Sequence, residues 1–202
     1  MRETRAPCLR GARLHIVARQ PTAPCTAAEP AGDAAAFGEL LKLLAARQHG
    51  HVTFTEVQQL SILDQPLHSS GELLYDAPNR LEKRTLEPRS EDLLLENGVL
   101  TVERNHHRRS IALRDFPQAA PFVESVRATL AGDRAALEHY FTVHFSGNLD
   151  RWSLELTPAD TALRRTVQRV LIAGEHDRIR TVEVHQSDGD SSTLTIGPEL
   201  TP

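Results

Sequence analysis

Residues 73–88 read LLYDAPNRLEKRTLEP, two short extended runs broken at Ala77-Pro78-Asn79, with leucines stepping between charged neighbours. Proline has no N–H for a strand ladder, so Pro78 and Pro88 belong at strand ends or edges, and the run between them forms its own strand. The pattern extends in both directions. Upstream, HVTFTEVQQLSIL at 51–63 places Val52, Phe54, Leu60 and Ile62 on one side at period two, with Glu56 and Gln58 interrupting that side. This predicts one long strand with a partly polar middle. Downstream, strands are predicted near 67–76, 80–87, 91–96, 99–104 and 109–113. Asn97-Gly98 joins two of them as a two-residue type I′ hairpin, a turn whose central positions both need positive φ. Residues 51–113 therefore read as a contiguous antiparallel meander.

Two stretches carry a different period. In DAAAFGELLKLLAARQHG at 33–50, Phe37, Leu40, Leu41 and Leu44 share one face at helical spacing, which predicts a helix over 34–47 with Asp33 as N-cap and Gly50 as terminator. In DFPQAAPFVESVRATLAG at 115–132, Phe116, Ala120, Val123, Val126 and Leu130 recur at steps of three and four, predicting a second helix over 116–131. After a short turn at DRAALE, period two returns. Phe141, Val143 and Phe145 open it, followed by Trp152, Leu154 and Leu156, then Val170 and Ile172, Val182 and Val184, and Leu194 and Ile196. Asp188-Gly189 is a further hairpin candidate. Ten or eleven consecutive antiparallel strands must curl into a barrel, a partial barrel or a sandwich to hide one face and their edges. Two helices are too few for a layer of their own and fit over the open side of a curved sheet. A cavity between sheet and helices is then possible, although an alternating apolar face is by itself ordinary core.

The 202 residues, 40% of them hydrophobic, suffice for one large domain with a real core. A formal net charge of -4 carries no broad electrostatic footprint for nucleic acid or an anionic membrane surface. Cys8 and Cys25 lack metal or disulfide spacing. Residues 1–32 differ in composition: five arginines, then prolines and small residues, around an apolar middle of only LHIVA. They read as a disordered tail, or as a degenerate or misassigned signal region. RNHHRR at 104–109 is a local basic cluster for which an anion or nucleic-acid site competes with the plainer, favoured reading of a solvated hairpin end. The histidines have no zinc-type spacing, and no GxSxG, GxxxxGK[ST], HExxH or strand-borne GxGxxG occurs. No metal, cofactor or catalytic residue is expected from these patterns.

Order and spacing of the landmarks FTEVQ, SSGELLYDAPNRLEKRTLEP and LLLENGVLTV, together with WSLELTPADTALRRTVQRVLIAG and IRTVEVHQSDGDSSTLTIG, resemble the LolA-like outer-membrane lipoprotein carriers over roughly residues 35–198. The resemblance implies a mainly β fold with a helical lid: an incomplete antiparallel β-barrel of about ten or eleven strands covered by two or three helices, over 33–198. It also implies a periplasmic, monomeric, non-enzymatic carrier that holds acyl chains of a lipoprotein or other lipid cargo between inner-membrane donor and outer-membrane acceptor proteins, with no nucleic-acid partner. The leucine side of 73–86 would face the cavity, whose lining is expected from Phe54, Leu73, Leu81, Leu93, Leu95, Phe116, Val123, Phe141, Val143, Trp152 and Leu154. Both helices would turn their apolar faces into it, closing by aliphatic packing. The family arginine before Pro-Asn is replaced by Ala77, leaving Arg80 or Arg84 as possible substitutes. Two alternatives stand beside the carrier: a scaffold or interaction module of an envelope or acyl-product export pathway, and an acyl-processing enzyme.

Overall fold

The computed structural model describes residues 31–115 and 120–200, so the expectations for 1–30 and for Phe116 lie outside the described residues. The chain runs α1 (Ala31–Ala45), β1 (His49–Gln59), β2 (Leu67–Asp76), β3 (Arg80–Glu87), β4 (Glu91–Glu96), β5 (Val99–Arg104) and β6 (His107–Ala112). A 3-10 turn, Leu113–Asp115, precedes α2 (Ala120–Ala131) and α3 (Arg134–Tyr140). Then come β7 (Phe141–Gly147), β8 (Trp152–Pro158), α4 (Thr161–Arg164), β9 (Val167–Glu175), β10 (Arg178–Gln186) and β11 (Ser191–Glu199). The eleven strands form one sheet in the order β6-β5-β4-β3-β2-β1-β11-β10-β9-β8-β7, with every neighbouring pair antiparallel. β6 and β7 are its unjoined edges, so the barrel is incomplete.

Residues 51–113 form the expected meander. Asn97 and Gly98 take φ of 50° and 75° between β4 and β5, as the type I′ turn demands. A second turn of this kind, Asn105-His106 with φ of 53° and 64°, joins β5 to β6 and carries the basic cluster at its tip. The sequence pattern differs from the fold at several places. β1 stops at Gln59: the Leu63 amide bonds the Leu60 carbonyl and the Ser61 amide bonds the Asp190 carboxylate, which turns the chain and leaves Ile62 87% exposed. Gly50 does not terminate α1 but lies in β1, and Asp33 sits inside the first turn of α1, where its charge favours the helix N-terminus. DRAALE is no turn but the start of α3, capped by the Asp133 carboxylate, which accepts from the Ala136 amide at 3.0 Å. Asp160 caps α4 likewise, through the Ala162 amide, giving four helices among the described residues.

The helices divide the concave side of the sheet in two. α1 buries Phe37, Leu40, Leu41 and Leu44 against Leu137 of α3 and against Phe141, Phe145, Trp152, Leu154, Leu156, Val170 and Ile172 of β7–β9. This half is filled. The C-terminal end of α2 is drawn onto α1 at Gly132, where φ is +65° and an added Cβ would lie 2.3 Å from the Leu41 carbonyl oxygen. The other half, β10-β11-β1-β2-β3-β4-β5, is left to the free face of α2.

Candidate binding cavity

Beneath α2 the sheet encloses a cavity of about 280 Å³. Its walls follow from strand parity: Val52 and Glu56 of β1, Leu73 and Tyr75 of β2, Leu81 and Lys83 of β3, Leu93 and Leu95 of β4, and Leu100 of β5 stand on one face at two-residue steps. Val182 and Val184 of β10 and Leu194 and Ile196 of β11 continue that face, and Val123, Val126 and Leu130 of α2 form the roof. At one rim, Arg47 bonds Asp177 at 3.0 Å and Glu199 at 2.6 Å, joining the end of α1 to β11 and the β9–β10 turn.

Of the residues expected to line a cavity, Leu73, Leu81, Leu93, Leu95 and Val123 are in this wall. Leu74 also reaches it, although it belongs to the opposite parity. Phe54 is buried but is not part of the wall; the Lys83 ammonium stands 5.0 Å from its ring centre. Phe141, Trp152 and Leu154 are elsewhere, in the filled core under α1, with the Trp152 indole donating to the His176 carbonyl at 3.0 Å. Val143 packs at the margin of that core. The apolar face of α1 likewise points into the filled core, not into the cavity, since α1 and α3 cover β7–β9 and leave only α2 over the hollow half. Leu86 is 57% exposed, so the leucine side of 73–86 faces inward only as far as Lys83.

Two polar features interrupt the apolar lining. Glu56, 7% exposed, accepts from Lys83 at 2.6 Å, Ser69 at 3.1 Å and Ser192 at 2.7 Å, tying β1 to β3, β2 and β11 at once. Burial alone would push its carboxyl up, but the Lys83 charge and the hydrogen bonds from Lys83, Ser192 and Gln58 outweigh that and hold it below the ordinary glutamate value. Tyr75 is the other: its hydroxyl is buried and has no hydrogen-bond partner among the described residues. Burial pushes this phenol above its ordinary value against the opposing field of Arg127 on α2. Glu56 was legible only as an interruption of β1. Tyr75 was legible only as the aromatic of the SSGELLYDAPN stretch, and its two-residue step from Leu73 was the available signal for the cavity face.

Arg80 and Arg84 do not replace a lid arginine. Arg80 is engaged by Glu82 at 2.6 Å, Asp76 at 3.5 Å and Glu96 at 3.7 Å, and Arg84 by Glu82, on the sheet face opposite the cavity. The Ala77 amide donates to the carbonyl of Gln48, between α1 and β1, at 2.8 Å. No cluster of three or more metal-ligating side chains occurs among the described residues, and no helix there is long and apolar enough to cross a membrane.

Comparison with curated proteins finds no match. Among solved structures, the chain is similar to a LolA superfamily protein from Nitrosomonas europaea, at 14% identity and TM-score 0.45, covering 84% of this chain and 94% of that one. It is also similar to a putative outer membrane lipoprotein-sorting protein domain from Vibrio parahaemolyticus, at 10% identity and TM-score 0.46, over 81% and 91% of the two chains. The Mycobacterium tuberculosis lipoprotein LppX matches at 9% identity and TM-score 0.45, over 84% and 97%. The family model described as outer membrane lipoprotein carrier protein LolA-like matches residues 27–199. The chain belongs to that family.

Proposed function

We propose that this protein is a periplasmic, non-catalytic carrier that holds acyl chains of a lipoprotein or related acylated cargo for transfer from an inner-membrane donor toward an outer-membrane acceptor, acting as a monomer. One observation carries the reading: a cavity of about 280 Å³, walled mainly by Val, Leu and Ile with Tyr75, Glu56 and Lys83 among them, lies between the sheet and α2, beside a filled core under α1. Its size is just below the range of small-ligand sites, about 300–1,000 Å³. Each methylene buried there contributes about 0.8 kcal/mol. Membership of the carrier family supports the same reading.

The test is to purify the protein from its native envelope, identify co-purifying lipid or acylated protein by mass spectrometry, and repeat with Val123→Asp. A carboxylate on the cavity roof costs several kcal/mol once desolvated by an acyl chain. The variant is expected to keep its β-sheet circular dichroism and lose the cargo; a folded variant that still carries lipid removes α2 from the site. The exposed tip between β1 and β2, with Ile62, Leu63 and Leu67 at 87%, 44% and 46% exposure, favours a second reading as an interaction module of an envelope pathway. Under that reading the wild type co-purifies with a protein and carries no lipid.

A further inference from the structure

The cavity does not end in neutral surface. On β4 the inward side chains run Leu95, Leu93, Glu91, on β5 Leu100, Val102, Arg104, and on β6 Ile111, Arg109, His107. One two-residue step, about 7 Å, thus carries each strand from the apolar wall to a charged position. There an open groove of about 720 Å³ is lined by Val102, Arg104, Asn105, His107, Arg108, Arg109 and the lone carboxylate Glu91. Glu91 is taken up by Arg104. Arg109, on the inward face, and Arg108, which borders the groove from the opposite face beside Glu103 in the strand register, are exposed and form no ion pair among the described residues. The RNHHRR hairpin, with Asn105 and His106 at positive φ, sets Arg104 and Arg109 on the inward side of the groove and Arg108 at its border.

Resting on the carrier reading, we infer that this groove selects the cargo: it binds an anionic, phosphate-type head group whose acyl chain occupies the cavity. Guanidinium groups offer planar, paired donors that match phosphate oxygens. Arg109 is free to provide them on the inward side, with Arg108 at the border, and the inward apolar residues Leu93, Leu100 and Val102 lie between groove and cavity. The ligand is an anionic amphiphile, not a neutral glyceride.

The experiment is calorimetric titration of the full chain with two soluble lipids of equal chain length, dihexanoyl phosphatidylglycerol and neutral dihexanoyl glycerol, at low and high salt. The wild type is expected to prefer the anionic lipid about tenfold, the equivalent of one charge-assisted contact, with the preference falling as salt rises. An Arg108→Gln/Arg109→Gln double variant loses the preference and keeps the affinity for the neutral lipid. Equal binding of both lipids by the wild type overturns the head-group proposal while leaving the carrier reading intact, and so does a preference retained by the double variant. Binding of neither lipid overturns both. Displacement of the anionic lipid by glycerol phosphate alone shows a free-phosphate site and overturns the link to the cavity; so does a groove that takes up an acidic peptide while the lipids are not distinguished.

Discussion

At the scale of single residues, the cavity wall holds one group satisfied at high cost and one unsatisfied. Glu56 is stabilised by Lys83 and the two serines, and its carboxyl is held below the ordinary value of about 4.3. An acid with a depressed folded-state pKa contributes stability that is fully present above the unfolded value and disappears as pH falls through the folded one. Glu56→Gln leaves Lys83 half-buried without its counter-charge, and a loss of about 3 kcal/mol is expected at pH 7. The gap to wild type should shrink below about pH 4; urea unfolding at pH 7 and pH 3.5 measures it, and a constant gap would show that the ion pair is not its source. Tyr75→Phe works in the opposite direction. Removing a buried hydroxyl that has no partner should raise stability by about 1 kcal/mol, read as a higher urea midpoint at unchanged slope. A drop would mean that the hydroxyl is bonded in solution.

Elements separate the two halves of the molecule. β7–β9 with α1 and α3 are filled core, so Leu154→Ala, at 0% exposure, is expected to cost 2–5 kcal/mol of stability, as core truncations do. Acyl binding per folded molecule should be unchanged, because Leu154 does not line the cavity. Leu81→Ala makes the converse case: its side chain faces space already present, so the same deletion should weaken acyl binding more than it weakens the fold. Paired thermal denaturation and lipid-binding measurements on both variants check this; binding lost equally in the two would indicate one continuous core. The helices themselves were unevenly legible. α1 and α2 showed as 3.6-residue periodicity, whereas α3 is seven residues whose start depends on the Asp133 cap and whose apolar positions meet α1 and α2 only in the folded chain.

For the whole molecule, an acyl ligand that binds only the folded state must raise its melting temperature. At a free concentration a hundredfold above Kd the gain is about 2.7 kcal/mol, or roughly 5–10 °C for a domain of this size. Differential scanning fluorimetry with the neutral dihexanoyl glycerol tests this, and no shift at saturating ligand would contradict the cavity's role. The strands themselves were determined by the sequence alone, because a period of two and positive-φ turns such as Asn97-Gly98 are properties of adjacent residues. The resemblance to a carrier family was also readable there, from the order of short landmarks. Which face of each strand turned inward was not, since 93–95 is leucine throughout and either parity satisfies the local pattern. Nor could spacing tell that Phe141, Trp152 and Leu154 fill a core while Leu81 and Leu93 border a cavity. Both sets obey the same alternation. The difference arises where α1 and α2 dock and where β1 meets β11, bringing Ser192 to Glu56 across 136 residues of chain. Local periodicity says that a face is apolar; only long-range packing decides whether another part of the chain fills the space above it.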